Sequence, residues 1–323
     1  MSVQLSVSNQ SSSDTLVAAL CKAGGDPLRL NILRALANDS FGVLELAQIF
    51  AVGQSGMSHH LKVLAQAGLV ATRREGNAIF YRRALAQGGV LQAALLDEVD
   101  RLALPDDVQA RIAQVHARRA DASRDFFARM AGSFQARQDL IASVEHFRDS
   151  LLALIGALGF AGEATALEVG PGDGAFLPEL ARRFSRVTAL ENSPEMLELA
   201  RERCARDGLT NVELRLADAL HSSSLQADCV VMNMVLHHLA APADALRALA
   251  GLVKPGGSLL ITELCSHNQS WVRDACGDVW LGFEQEDLAR WAIAVGLTPG
   301  ESVYIGLKNG FQIQLRHFAR TDA

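Results

Sequence analysis

Cysteine is scarce and unpaired in this chain of 323 residues: Cys21, Cys204, Cys229, Cys265 and Cys276 stand far apart, with no CxxC or CxC spacing. An odd, dispersed set argues against a disulfide framework and a thiolate metal site, and leaves these residues as small core hydrophobes. Long apolar runs are missing too. Hydrophobic residues make up 49% of the chain, yet no stretch approaches the roughly 20 apolar residues of a membrane helix. The opening MSVQLSVSNQSSSD has neither the basic start nor the apolar core of a secretory signal. Residues 1–13 are expected to be a disordered, Ser-rich lead-in, and the protein to be cytoplasmic with no membrane contact. The longer glycine fingerprint G-x-G-x-x-G, which cradles a pyrophosphate, is also absent.

What is present divides unevenly along the chain. The length allows two domains, since single cores stop growing near ~250–300 residues. The formal net charge is −6, but between Asp26 and Arg83 seven Lys/Arg face four acids. That segment is +3 and the remainder −9. A modestly basic module on an acidic protein suits local DNA contact.

DPLRLNILRALAND places Leu28, Ile32, Leu33 and Leu36 on one helical face. Asp26 is its predicted cap and Pro27 its first residue, where a missing N–H costs nothing. A second helix is expected from Ser40 through FGVLELAQIFA, with Gly53 in the tight turn after it. The third, Gln54 to Ala67, buries Met57, Leu61 and Leu64 and ends at Gly68. Its outer side carries Gln54, Ser55, Ser58, His59 and Lys62, with His60 beside them. Two strands, LVATRR and AIFYRR, follow around Glu75-Gly76-Asn77. Helix, turn, helix and basic hairpin make a winged helix, whose third helix suits base edges and whose Arg73 and Arg74 suit phosphates.

At DPLRLNILRAL, MSHHLKVLAQAGLV and RREGNAIFYR this stretch resembles the ArsR family of dimeric bacterial repressors. The likeness implies a DNA-binding domain over residues 14–86 that reads operator DNA as a homodimer through Gln54, Ser55, Ser58, His59, His60, Lys62, Arg73 and Arg74. His59 departs from the arginine of many relatives. The metal-sensing members carry a thiolate pair on the helix before the recognition helix; FGVLELAQ has none, and no metal site is expected. Residues 87–124 read as a helical linker broken at Pro105, with an apolar stripe of Leu91, Leu95, Val99 and Leu102. Such a helix dimerises in the family; packing within its own chain is the alternative.

The remainder alternates strand and helix. TALEVGPGDGAFLPELARRF gives strand, G-x-G-x-G turn (Gly170, Gly172, Gly174) and helix. Glu191 closes the next strand, where a carboxylate can accept both ribose hydroxyl protons. NVELRLADAL ends in Asp218, suited to an adenine amino group. ADCVVMNMVLHHL and KPGGSLLITEL supply a fourth and fifth strand, and VYIGL and FQIQLRHF flank an Asn309-Gly310 hairpin signal. His237 and His238 could act as a general base or simply pack. HNQSWVRDACGDVWLGF, with Trp271, Trp280 and Phe283, reads as an acceptor pocket or a plug.

This ordered series resembles class I S-adenosylmethionine-dependent methyltransferases of the small-molecule type, over about residues 125–323. The implied fold class is an α+β winged helix-turn-helix followed by an α/β, Rossmann-like domain with a seven-stranded, mostly parallel sheet. By motif position Glu168, Gly170, Gly172 and Gly174 flank the methionine portion of S-adenosylmethionine or S-adenosylhomocysteine. Glu191 and Asn192 fall to the ribose, Asp218 and Ala219 to the adenine, and Asn233 to the loop beside the sulfonium. The D/N-P-P-Y/F motif of DNA amino-methyltransferases is replaced by Asn233–Leu236, NMVL, against methylation of exocyclic base amines. The fusion implies a regulator with a nucleoside effector; an active small-molecule methyltransferase with an autoregulatory DNA-binding domain is the alternative.

Overall fold

The computed structural model describes residues 4–75, 78–84, 89–130, 132, 138–222 and 225–321. The chain divides into two compact units, Met1–Arg118 and Arg119–Ala323. Among the described residues no helix is long and apolar enough to cross a membrane.

In the first unit, helix α1 spans Gln4–Gly24. The expected disordered lead-in is therefore helical from Gln4; no proline or glycine interrupts the segment before Gly24. Helix α2 (Pro27–Ala35) is capped as expected, the Arg29 amide donating to Asp26 Oδ1 at 3.0 Å. Ser40 does not begin a helix. Ser40–Gly42 is strand β1, paired with Phe80, Tyr81 and Arg82, because burying Phe41 there extends the wing sheet inward. Helix α3 (Val43–Ile49) starts after it, with the Gly42 amide donating to Glu45 Oε2 at 2.8 Å. In the turn that follows, Ala51 takes a left-handed backbone (φ 53°), and Gly53 stands as the N-cap of the next helix at φ −64°.

Helix α4 (Gln54–Gln66) buries Met57, Leu61, Val63 and Leu64, and Gly68 leaves it at φ 67°. Strands β2 (Val70–Glu75) and β3 (Ala78–Arg83) complete a sheet of order β1-β3-β2. The turn residues Gly76 and Asn77 lie outside the described residues. Helix α5 (Val90–Asp100) gives Leu96 and Val99 to this core, with Leu95 packed against it. Leu91 and Leu102 of the apolar stripe stay exposed. The stripe is thus split between packing in its own chain and facing outward.

The second unit is a seven-stranded sheet of order β6-β5-β4-β7-β8-β10-β9. Strands β4 (Thr165–Val169), β5 (Arg186–Glu191), β6 (Val212–Leu216), β7 (Ala227–Asn233) and β8 (Val253–Leu264) run parallel, and β9 (Leu297–Gly306) and β10 (Gln312–Arg320) form an antiparallel edge. The two faces can be read residue by residue. Ala166, Cys229 and Val231 enter one apolar cluster with Leu151 and Leu154 of helix Arg148–Ala157. Leu167, Val169, Val230 and Met232 enter the other with Leu246 and Trp291. Covered on both sides, β7 is almost continuously apolar. The chain enters at β4, steps outward to β5 and β6, then returns to β7 on the other flank. Open α/β sheets hold ligands at the strand carboxyl ends beside such a switch point.

The opposite ends of the central strands are tied by one acid. Asp228 Oδ2 accepts from the Thr165 amide (2.8 Å), the Thr165 hydroxyl (2.7 Å) and Lys254 Nζ (2.8 Å). Burial alone would raise its carboxyl, but these donors outweigh burial and hold it at about 2. A lowered carboxyl contributes stability above its ordinary value, lost as the pH falls toward the folded one. Asp228→Asn should therefore lower the melting temperature at neutral pH, with the gap from the parent closing between about pH 4 and pH 2. Melting curves across that range check this; a gap independent of pH would remove the ion pair from the explanation.

Candidate functional site

Three adjacent strands end together, and each delivers a polar side chain. Glu168 on β4 is buried, and Oε1 accepts from Asn233 Nδ2 of β7 at 3.2 Å. The Thr262 hydroxyl fixes Asn233 by donating to its Oδ1 at 2.8 Å. Glu168 Oε2 is buried with no hydrogen-bond partner. Burial pushes this carboxyl up to about 8; the Asn233 hydrogen bond opposes the shift, and the Asp173 and Glu191 carboxylates add to it. At neutral pH Glu168 holds its proton.

Glu191, at the end of β5, is also buried. Oε1 accepts the amides of Asn192 (2.9 Å) and Ser193 (3.0 Å), and Oε2 that of Gly172 (3.2 Å). Burial raises its carboxyl, opposed by these three amides. A carboxylate has about four acceptor positions, so Glu191 both ties down the glycine turn and keeps a lone pair for a ligand. Gly170, Gly172 and Gly174 all take positive φ (66°, 58° and 77°). A Cβ on Gly170 would come within 2.7 Å of Val235 Cγ2, so only glycine lets this turn close over the sheet. Asp173 accepts from Arg203 Nη2 at 2.6 Å, anchoring the turn to helix Pro194–Arg206. The sequence reading missed that anchor, since nothing local links positions thirty residues apart.

The remaining expected residues are placed less uniformly. Asn192 is exposed and Ala219 buried. Asp218 caps a short turn through the Leu220 amide (2.9 Å) and meets His221 Nδ1 at 3.2 Å. Its carboxylate is therefore partly engaged, and only its remaining capacity could serve an adenine.

Beyond Asn233, Met234 takes a left-handed φ of 55° and opens a small cavity. Phe126, Met130, Gln138, Ile141, Ala142, Met234, His237, His238, Cys276 and Asp278 line about 20 Å³ of free space, room for one water rather than a substrate. Buried His237 meets both oxygens of Glu263 through Nδ1 (2.5 and 2.8 Å), and its Nε2 lies 3.9 Å from Asp278 Oδ1. Burial would lower His237, but the Glu263 and Asp278 carboxylates raise it to about 9. Burial and then its charged neighbour hold His238 well below the ordinary range, and burial raises Asp278 to about 6. The sequence pointed to both histidines but not to Glu263 or Asp278. Trp280 and Phe283 prove to be core, Trp280 Nε1 donating to Leu239 O at 2.7 Å, whereas Trp271 is exposed.

In the first unit, Gln54, Ser55, Ser58, His59 and Lys62 are exposed on one side of α4, opposite the buried Met57, Leu61 and Leu64. His60 departs from this group. It is partly buried, its Nδ1 3.9 Å from Asp26 Oδ2, because it stands three and four residues from the buried Met57 and Leu64. Arg73 is half-buried on β2, and the Arg74 side chain lies outside the described residues.

Comparison with known proteins agrees with both units. A family described as a methyltransferase domain matches residues 167–261, and one described as a helix-turn-helix domain matches residues 25–73. An uncharacterised methyltransferase of Mycobacterium tuberculosis is 36% identical over 140 residues, 39% of this chain and 66% of the relative. A demethylmenaquinone methyltransferase of Tropheryma whipplei is 32% identical over 162 residues, 49% of this chain and 65% of the relative. The chain thus spans just under two thirds of the length of these curated relatives. Among solved structures, a magnesium protoporphyrin IX methyltransferase from Synechocystis with bound S-adenosylhomocysteine superposes with a TM-score of 0.52 at 16% identity, over 63% of this chain and 100% of that one. A putative Haloferax volcanii methyltransferase, solved with its Trm112 activator, gives 0.51 at 17% identity, over 62% and 98%. At those identities the likeness carries the fold alone. The chain thus carries a helix-turn-helix region followed by a methyltransferase domain with the class I methyltransferase fold.

Proposed function

We propose that this protein is a DNA-binding transcriptional regulator, a repressor acting as a homodimer, whose methyltransferase-like domain takes S-adenosylmethionine or S-adenosylhomocysteine as its effector. The observation that carries this reading is an asymmetry around Asn233. On the nucleoside side, Glu168 Oε2 is a buried acceptor without a partner and Glu191 keeps acceptor capacity beside a glycine turn. Those groups fit a ligand with an ammonium and ribose hydroxyls. On the side of the histidines the free space is about 20 Å³, and a Cβ on Gly277 would lie 2.4 Å from the Phe126 ring. Spare acceptor capacity on the nucleoside side, beside little free space next to the histidines, favours sensing over transfer.

An active small-molecule methyltransferase whose winged helix autoregulates is the second reading. One feature favours it: His237, backed by Glu263 and next to the Asn233 loop, has the orientation of an acid–base group, and such an enzyme would gain activity as the pH rises toward about 9 and the ring loses its proton.

The DNA assignment rests on the exposed polar side of α4. Replacing Ser58 and His59 together should relax base preference, whereas Lys62→Ala should weaken all sequences alike and reduce the salt slope by about one. Filter binding to specific and random duplexes at several salt concentrations separates the two effects, and binding blind to all three residues would move the DNA surface elsewhere.

For the nucleoside, Glu191→Gln keeps the size but removes the charged acceptor, so S-adenosylhomocysteine affinity should fall by roughly 2 kcal/mol, about 30-fold. Glu168 adds a pH signature. Neutral below about 8 in the free protein, it should ionise when the ligand's ammonium arrives, since an adjacent cation favours the carboxylate. Binding then releases a proton, and affinity rises with pH up to that value. Calorimetry in buffers of different ionisation enthalpy measures the release, which Glu168→Gln should abolish; unchanged proton release in that variant would assign it to another group.

Coupling is the remaining requirement. Ligand should shift operator affinity by about 1–3 kcal/mol, and operator should shift ligand affinity by the same factor. Equal gel-shift midpoints with no ligand, with S-adenosylmethionine and with S-adenosylhomocysteine would sink the sensor reading in favour of the enzyme.

A further inference from the structure

We propose that His237, His238 and Asp278 form a binding site for one divalent transition-metal ion of the zinc class. A ligand atom from each of these residues lies within 4.8 Å of the others, in the one such cluster among the described residues. All three line the same small cavity.

The first argument is the state of Asp278. Its side chain is fully buried, and both carboxylate oxygens lack a hydrogen-bond partner. An uncompensated buried carboxylate is strongly unfavourable unless it is paired, protonated or bound to a metal. His237 hydrogen-bonds to Glu263, and its Nε2 stands 3.9 Å from Asp278, an ion-pair distance beyond hydrogen-bond reach, so both Asp278 oxygens remain without a donor.

The second argument is the orientation of the imidazoles. Histidine ligands usually direct one ring nitrogen at the metal and donate the other N–H to a carboxylate or backbone carbonyl, which fixes tautomer and ring plane. Both histidines are held in this way. His237 Nδ1 faces the Glu263 carboxylate, and His238 Nδ1 faces the Gly277 carbonyl at 3.3 Å. Each Nε2 is then the nitrogen left for a ligand role; at His237, where the neighbouring carboxylates favour the imidazolium, metal binding displaces the Nε2 proton to solvent. Phe127 packs edge-on against the His238 ring, centroids 4.8 Å apart, and limits its rotation.

Two imidazoles and a carboxylate match the borderline character of zinc and its neighbours, and three protein ligands leave a coordination position open. Bond lengths of about 2.0–2.2 Å place tetrahedral ligand atoms roughly 3.3–3.6 Å apart. The present spacing, up to 4.8 Å, is wider, so binding an ion requires the three groups to draw together. The cavity is large enough for one ion.

This inference does not rest on nucleoside or DNA binding, and its test uses neither. The full chain, treated with a chelator and then dialysed against zinc, should retain about one ion per chain and melt at a higher temperature. Cobalt(II) in its place should give the visible absorption of a four- or five-coordinate site. Asp278→Asn and His238→Ala should each weaken zinc binding by more than about 100-fold, and Glu263→Gln, which acts through His237, by about 10–100-fold. A folding control is built in. In chelator, Asp278→Asn should melt at or above the parent's temperature, because it removes the unpaired charge, while losing the zinc-dependent rise. The proposal is overturned if the parent takes up no zinc and shows no rise. It is equally overturned if Asp278→Asn and His238→Ala bind zinc as the parent does, which would place the ion at surface histidines.

Discussion

The carboxyl ends of three adjacent parallel strands are the constraint on which the second unit depends. β4 must reverse into a helix at that edge while β5 and β7 end beside it, so backbone amides and buried side chains converge where little water reaches. Buried amides have to be paired. Glu191 does this for Gly172, Asn192 and Ser193 at once. A single carboxylate on β5 therefore holds the turn that follows β4 and the turn that follows itself. The same constraint explains the glycines: a turn drawn this tightly over the sheet leaves less than 3 Å between a Cβ at position 170 and Val235. A ligand pocket is the by-product of satisfying the backbone at a switch point, which is why such edges bind cofactors across unrelated sheets.

Legibility in the sequence follows from how local each feature is. The Asp26–Pro27 helix start, the buried face of α4, the Gly68 exit and the G-x-G-x-G turn are set by a few neighbouring residues, and each could be read from the chain. Ser40–Gly42 could not. Its helix-like composition yields to Phe41, whose burial depends on Tyr81 and Phe80 some forty residues later. Tertiary packing overrides propensity there. Asp173–Arg203, His237–Glu263 and Asp278 were illegible for the same reason: each joins residues brought together only when β4, β7 and β8 align. His60 follows helical periodicity: three residues after Met57 and four before Leu64, it falls on the buried side of α4, away from the outward residues it neighbours in sequence.

Charge burial is what separates the two clusters of this domain chemically. Around Glu168 and Glu191, the cost of burying two acids is met by one proton and by backbone amides. The amides are already committed to the fold, so the protonated Glu168 is the adjustable group, and a cationic ligand can displace its proton without moving the chain. Around Glu263 and Asp278, two acids share one imidazolium, and the hydrogen-bonded half of that sharing goes wholly to Glu263. Asp278 is left with its oxygens facing a cavity too small for an organic acceptor. Asn233 and Met234 stand between the clusters, one hydrogen-bonded to Glu168 and the other lining the cavity. Thr262 fixes this pair through the Asn233 side chain and through its carbonyl, which accepts the Met234 amide at 2.8 Å. Glu168 and the cavity are thus joined through two consecutive residues, the second of which, Met234, holds a left-handed φ of 55°.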